Sequence, residues 1–251
     1  MEAFQIELAQ LPALVHPLFF STEQYCRRYG TQRQPELVIQ ITEEALRFEQ
    51  QMLDTEAEEE GWKRRAFTGP FLERAAIQRA FAHALLTRDT LLLHGSAVAV
   101  DGKAYLFAAN CGEGKSTHTR LWREVFGNRA VMVNDDKPFL KLTDDAVVAF
   151  GSPFSGKHGL DTNLVVPLQG ICILHRDTQN RICRMTSREA KPMLEKQSYI
   201  PELPGLRNRA EGLVWELAQR VPLWSMGCTK DADAARISYA AMSENPETTR
   251  K

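Results

Sequence analysis

The stretch Leu106-Phe107-Ala108-Ala109-Asn110-Cys111-Gly112-Glu113-Gly114-Lys115-Ser116-Thr117 decides how the rest of this chain is read. Its apolar start predicts a strand, its glycines a tight turn, and Lys115 with the hydroxyl pair Ser116 and Thr117 the start of a helix. That is the layout of a phosphate-binding P-loop, G-x-x-x-x-G-K-[ST], with Ala109 in place of the first glycine. In such a loop, exposed backbone N–H groups wrap the phosphates and the positive end of the following helix reinforces them.

Gly112 and Gly114 allow the torsions and close approach this needs. Lys115 would place a compact positive charge on the outer phosphates, and Ser116 would ligate Mg²⁺ through its hydroxyl. The candidate nucleotide-binding residues are therefore Asn110, Cys111, Gly112, Glu113, Gly114, Lys115, Ser116 and Thr117. Cys111 reads as a small residue tolerated in the loop, since no general base is evident beside it.

Upstream, the apolar run from Thr90 to Val100 and the run from Lys103 to Ala109 flank Asp101-Gly102, which predicts an antiparallel hairpin feeding the loop. His94 sits on the first of these runs, so it can lie beside the P-loop strand. Downstream, Ser116 to Phe126 predicts a helix stopped by Gly127-Asn128, followed by the short buried strand Ala130 to Val133. That strand delivers Asn134-Asp135-Asp136-Lys137-Pro138 at its C-terminal end. Phosphoryl transfer needs a carboxylate to hold the metal and often another to accept the proton of the attacking hydroxyl. Neighbouring residues of a strand point to opposite faces, so Asp135 and Asp136 can divide those roles.

A second hairpin is expected over Phe139 to Phe150, and then the glycine-rich basic loop Gly151 to Gly159. Lys157 and His158 there suit an anion-binding flap or, equally, a mobile connection. Farther on, Gly170 to Leu174 predicts a strand paired with Arg181 to Met185. Helices are expected over 187–198, 210–220 and 231–242, with a last strand over 221–226 between the second and third.

Before the core, three short apolar runs within residues 4–41 predict a small sheet, with Tyr25 to Gly30 as a surface turn between strands. Thr42 caps a helix that runs into the acidic patch Glu56 to Glu60, and Phe71 to Thr87 predicts a connecting helix. The expected organisation is a small β-rich N-terminal region with connecting helices over 1–88, a P-loop core over 89–242 and a polar tail over 243–251. The fold class is α/β, a mixed sheet with helices.

The whole-chain properties fit a soluble globular protein, with 43% hydrophobic and 25% charged residues. A formal net charge of −1 supplies no global basic field for nucleic acid. No apolar run reaches the length of a membrane span, and the early Glu2 is unlike a secretory signal. Five scattered cysteines without a C-x-x-C pair suggest free thiols in a reducing cytoplasm.

Leu93-His94-Gly95, the hairpin, Asn110 to Thr117 and the Asp135-Asp136 pair together resemble the HPr kinase/phosphorylase and ATP-dependent phosphoenolpyruvate carboxykinase superfamily. The chain is most similar to the compact bacterial HPr-kinase-like group, through His94-Gly95-Ser96-Ala97, Gly114-Lys115-Ser116-Thr117 with Leu121-Trp122, Asp136-Lys137-Pro138 and Ser155-Gly156-Lys157. In HPr kinases the loop has the form G-x-S-G-x-G-K-S, so Cys111 takes the serine place and Ala109 the first glycine place. The resemblance implies the P-loop core of that superfamily, with His94 at the γ-phosphate site and Asp135 or Asp136 as base and metal partner. It implies ATP or another nucleoside triphosphate with Mg²⁺, and a hydroxyl acceptor on a carrier protein, a precursor peptide or a small molecule. A homo-oligomer is implied on the same ground. Decarboxylation is discounted, because the full carboxykinase needs a much longer chain.

The leading expectation is thus a kinase in which Asp135, Asp136, Lys115, His94 and Lys157 carry the chemistry and Ser116 and Asp136 hold the metal. The competing one is a nucleotide-binding module without turnover, favoured by Ala109 and Cys111, which depart from the kinase loop. An alanine is tolerated at position 109 only if its backbone keeps negative φ. A third expectation is the same chemistry run in reverse, as a phosphorylase or phosphatase.

Overall fold

A computed structural model describes residues 2–244, so the expected polar tail lies outside the described residues from position 245 onward. The chain is α/β and forms two compact units, one ending at Leu85 and one beginning at Leu86.

The first unit carries a three-stranded sheet. Strands β1 (Phe4–Leu8) and β2 (Leu11–His16) are antiparallel, and β3 (Leu37–Gln40) runs parallel to β2. Helix α1 (Phe20–Cys26) and the 3-10 turn Arg27–Tyr29 lie between β2 and β3. Here the expectation of a surface turn is corrected: Cys26 and Tyr29 are buried. Their segment is laid against β1, where Gly30 bridges Ile6 and the Thr31 N–H donates to the Gln5 carbonyl at 3.4 Å. Helix α2 (Glu43–Glu59) opens with the Thr42 hydroxyl accepting from the Ala45 N–H, as its sequence predicts. Helix α3 (Gly69–Leu86) contributes Arg79, which grips the buried carboxylate of Glu49 through two hydrogen bonds of 2.5 and 2.8 Å.

The second unit is built on one nine-stranded mixed sheet. Its strands are β4 (Thr90–Leu92), β5 (Ser96–Val100), β6 (Lys103–Ala108), β7 (Ala130–Asn134), β8 (Phe139–Leu142), β9 (Val147–Phe150), β10 (Val165–Arg176), β11 (Arg181–Arg184) and β12 (Leu223–Cys228). The main path runs β4-β8-β9-β10-β6-β5-β7. The long strand β10 joins two parts of the sheet. Its first residues pair antiparallel with β9; from Leu168 it pairs parallel with β6, with a register shift between Leu168 and Gly170, and from Ile171 parallel with β12 as well.

Two expectations change here. The apolar run 90–100 is not one strand: it breaks at His94-Gly95 into β4 and β5. And β11 does not pair with β10, because β12 lies between them, parallel to β10 and antiparallel to β11. Burial explains that order. Strand β12 is almost wholly buried and takes an interior place, whereas β11 is mostly exposed and suits an edge.

Alternation along the central strands divides the core into two layers. Leu106, Ala108, Ile171 and Ile173 join the cluster built with α5 (Ser187–Gln197) and α6 (Pro204–Arg220). Tyr105, Phe107, Cys172 and Leu174 join the cluster built with α4 (Lys115–Phe126) and α7 (Ala232–Ser243). Trp122 is fully buried in the latter, and its indole N–H donates to the Ser238 hydroxyl of α7 at 2.9 Å. The His118 ring lies 3.0 Å from the same hydroxyl, and its Nδ1 has no hydrogen-bond partner among the described residues. No helix among the described residues is long and apolar enough to cross a membrane.

Burial lowers the His118 imidazole from 6.5 to about 4. Above pH 6.5 the ring is neutral in folded and unfolded chain alike; between 6.5 and about 4 only the unfolded chain binds a proton there. Stability is therefore lost as pH falls through that window, by about 3 kcal/mol from this residue. Urea unfolding at pH 7 and pH 4.5 should show a smaller acid penalty for His118→Phe than for the wild type. Equal penalties would show that the ring titrates alike in both states.

Candidate active site

Three segments converge because β5 runs antiparallel between β6 and β7. Ser96, at the start of β5, pairs with Phe107 near the end of β6, and Ala97 pairs with Asn134 at the end of β7. His94-Gly95 before β5, the loop after β6 and Asp135-Asp136 after β7 thus leave the sheet at one edge. A backbone hydrogen bond fastens the segment before β5 to the segment after β7, with the Gly95 N–H donating to the Asp136 carbonyl at 2.9 Å.

The loop is a closed turn. The Glu113 N–H donates to the Asn110 carbonyl at 3.2 Å, and the Glu113 carboxylate accepts the Asn110 N–H at 3.0 Å. Gly112 is the third residue of that turn, with φ of 76°, while Cys111 has no positive φ, the pattern of a type II turn. Gly114 follows at φ 107° and starts α4 without a side-chain cap, leaving the first N–H groups of the helix to a ligand or water. Lys115 folds back to donate to the Ala109 carbonyl at 3.0 Å, and burial lowers its pKa against the pull of Asp136. Ser116 is exposed and Thr117 half-buried in the first turn of the helix. Ala109 is buried and keeps a φ that any residue adopts, so its methyl meets no backbone objection.

The acidic pair is held by Asn134, which is fully buried. Its side-chain carbonyl accepts the N–H groups of Asp136 at 2.7 Å and Lys137 at 2.5 Å, and its amide donates to Ser152. Such an Asx arrangement fixes the turn after the strand. Asp135 accepts the Gly156 N–H at 2.7 Å, and Asp136 lies 3.2 Å from His94 Nε2. Burial lowers the His94 pKa despite Asp136, so at neutral pH this contact is a hydrogen bond donated by a neutral imidazole.

The two carboxyls diverge. Burial raises Asp135, and the neighbouring Asp136 charge adds to this against the Gly156 hydrogen bond. Burial also pushes on Asp136, but the hydrogen bond donated by His94 with the charges of Lys137 and Lys115 outweighs it and holds that group below its ordinary value. Asp136 is thus a lasting anion, and Asp135 is the better proton acceptor. Asp136 and the Ser116 hydroxyl are hard oxygen donors of the kind Mg²⁺ takes.

Lys157 and His158 are exposed at the tip of a loop closed by Ser155 Oγ donating to Asp161 at 3.0 Å and by the Gly159 N–H donating to Gly156 at 3.0 Å. His158 lies near enough to Asp135 to lower its proton affinity when the imidazole is charged; among the described residues Lys157 forms no hydrogen bond or ion pair with either acid. The sequence assigned no role of their own to Asn134, Ser152, Gly156, Asp161 and Arg176. Only Asn134, a turn-forming residue directly before two acids, carried a readable signal.

An added Cβ meets nothing within 4 Å at Gly112 or Gly114, so the cost of substitution there is torsional. Gly114→Ala should lower stability by about 1–2 kcal/mol and weaken binding of MgATP, whereas Ala109→Gly should leave binding within about twofold. Denaturant unfolding and calorimetric titration check both. Equal behaviour of the two variants would show that the loop torsions do not govern the site.

No family profile matches the chain, and no curated protein matches it. Among solved structures, it is similar to the HPr(Ser) kinase/phosphatase from Coxiella burnetii at 11% identity and a TM-score of 0.36, over 61% of this chain and 99% of that one.

Proposed function

We propose that this protein is an ATP- and Mg²⁺-dependent phosphotransferase of the HPr kinase-like type that moves the γ-phosphoryl group to a hydroxyl acceptor. The observation that carries this reading is the meeting, at one sheet edge, of a P-loop lysine, a neutral histidine and two carboxyls with divergent proton affinities. A phosphate cradle alone would bind nucleotide; an ionised Asp136 and a proton-accepting Asp135 beside it suit transfer.

In this reading the loop N–H groups and Lys115 bind the triphosphate, and Asp136 and Ser116 hold Mg²⁺, which would neutralise charge on the phosphate oxygens. Asp135 takes the proton of the acceptor hydroxyl while its oxygen bonds to the γ-phosphorus. The bond from that phosphorus to the bridging oxygen breaks, and ADP leaves. His94, oriented by Asp136, contributes its remaining polarity at the γ-phosphate, and Lys157 supplies charge from the flap. The acceptor is a serine of a protein or peptide, or a small molecule.

Release of ADP from MgATP, with water standing in for the acceptor, tests this. Lys115→Ala should weaken MgATP binding about tenfold or more, and Asp135→Asn should slow turnover by about 10²–10⁴ while binding persists. The base acts only when ionised, so activity should fall as pH drops through the raised Asp135 value and be regained above it. A folded protein that binds no nucleotide sinks the proposal. Binding without turnover, unchanged in Asp135→Asn, would mark a nucleotide-binding module instead.

A further inference from the structure

The loop has two flanks, and they are chemically unlike. Along the sheet, β5 and β7 lie on one side of β6, and β10 followed by β12 on the other. His94, Asp135 and Asp136 all belong to the β5–β7 flank. A triphosphate whose transferred end faces those groups must extend its nucleoside end toward the carboxyl ends of β10 and β12, the edge where parallel strands take ligands.

Arg176 stands there. Ile173 of β10 pairs with Ala108 of β6, so Arg176, three residues farther, reaches alongside the loop as it leaves the sheet. By strand alternation Arg176 shares the face of Cys172 and Leu174, the face on which α4 packs. The side chain is exposed, yet its Nη2 donates to the carbonyl of Gly112 at the loop tip. Among the described residues no other partner takes its remaining N–H groups. A guanidinium anchored at one nitrogen beside a phosphate cradle keeps a fork of donors for oxyanions.

Resting on the nucleotide reading above, we infer that Arg176 is a further binding residue: it contacts the phosphates at the nucleoside end of the chain, the α- and β-groups, from the flank opposite the acidic pair. It acts on ground-state binding of the diphosphate and triphosphate alike, and takes no part in proton transfer.

Calorimetric titration of wild type, Arg176→Ala, Arg176→Lys and Arg176→Gln with MgATP and MgADP tests this. Arg176→Ala should weaken both nucleotides by about the same factor, roughly tenfold, with the unfolding temperature unchanged. Lysine restores the charge, whereas glutamine restores only a neutral donor for the Gly112 carbonyl. Arg176→Lys should therefore recover most of the affinity, and Arg176→Gln little. Recovery by glutamine equal to that by lysine would reduce Arg176 to a pin on the loop. A loss confined to MgATP would place it at the γ-phosphate, and undiminished binding by Arg176→Ala would remove it from the site; each overturns the inference. A folded wild type that binds neither nucleotide would instead refute the nucleotide reading itself, and this inference with it.

Discussion

Strand β5 runs antiparallel between two strands that both end at the same edge, and the candidate site depends on that pairing. Its register sets the start of β5 opposite the ends of β6 and β7. Two backbone hydrogen bonds then fix the break at His94-Gly95: His94 donates to the Gln197 carbonyl at 2.6 Å and Gly95 to the Asp136 carbonyl at 2.9 Å. The register and these bonds together hold a histidine, a lysine-bearing loop and two carboxyls, distant in sequence, at one end of the sheet. A slip of one residue in β5 would turn every side chain of the strand to the other face and part the histidine from the acids.

The same edge concentrates charge in a partly buried place, which has a cost that the surrounding dipoles offset. Asn134 is the anchor, with its side chain hydrogen-bonded on both the carbonyl and amide sides and no exposed surface. Gly156 supplies an N–H to Asp135 at 2.7 Å, which ties the flap to the acid. His94 and the lysines compensate Asp136 alone. Two adjacent aspartates, Asp135 buried and Asp136 about a third exposed, therefore acquire opposite tendencies, one to hold its proton and the other to release it.

Much of the local structure was legible. Gly112 and Gly114 both hold positive φ, as their places in the motif require, and Asp101-Gly102 makes the hairpin turn with φ of 52° and 76°. Thr42 caps α2 through an i to i+3 hydrogen bond that needs no tertiary contact. The misread places have a common cause. Tyr25 to Gly30 looks like a polar turn until β1 is laid beside it, and β11 looks like the hairpin partner of β10 until β12 enters between them. Arg176 and Asp161 were invisible for the same reason, since each matters through a residue far along the chain or across a loop.

The amino-acid sequence by itself determined the glycine loop before Lys115, its torsions, the strand and helix around it and the nearby acidic pair. Those follow from backbone sterics and short-range hydrogen bonds, which act within a few residues. Only the tertiary structure decided which strands are neighbours, that Ala109 sits at ordinary torsions, that His94 meets Asp136, and that Asp135 and Asp136 differ in proton affinity. Strand order and burial are collective outcomes of packing apolar faces, and proton affinity depends on what that packing brings within a few ångströms of each carboxyl.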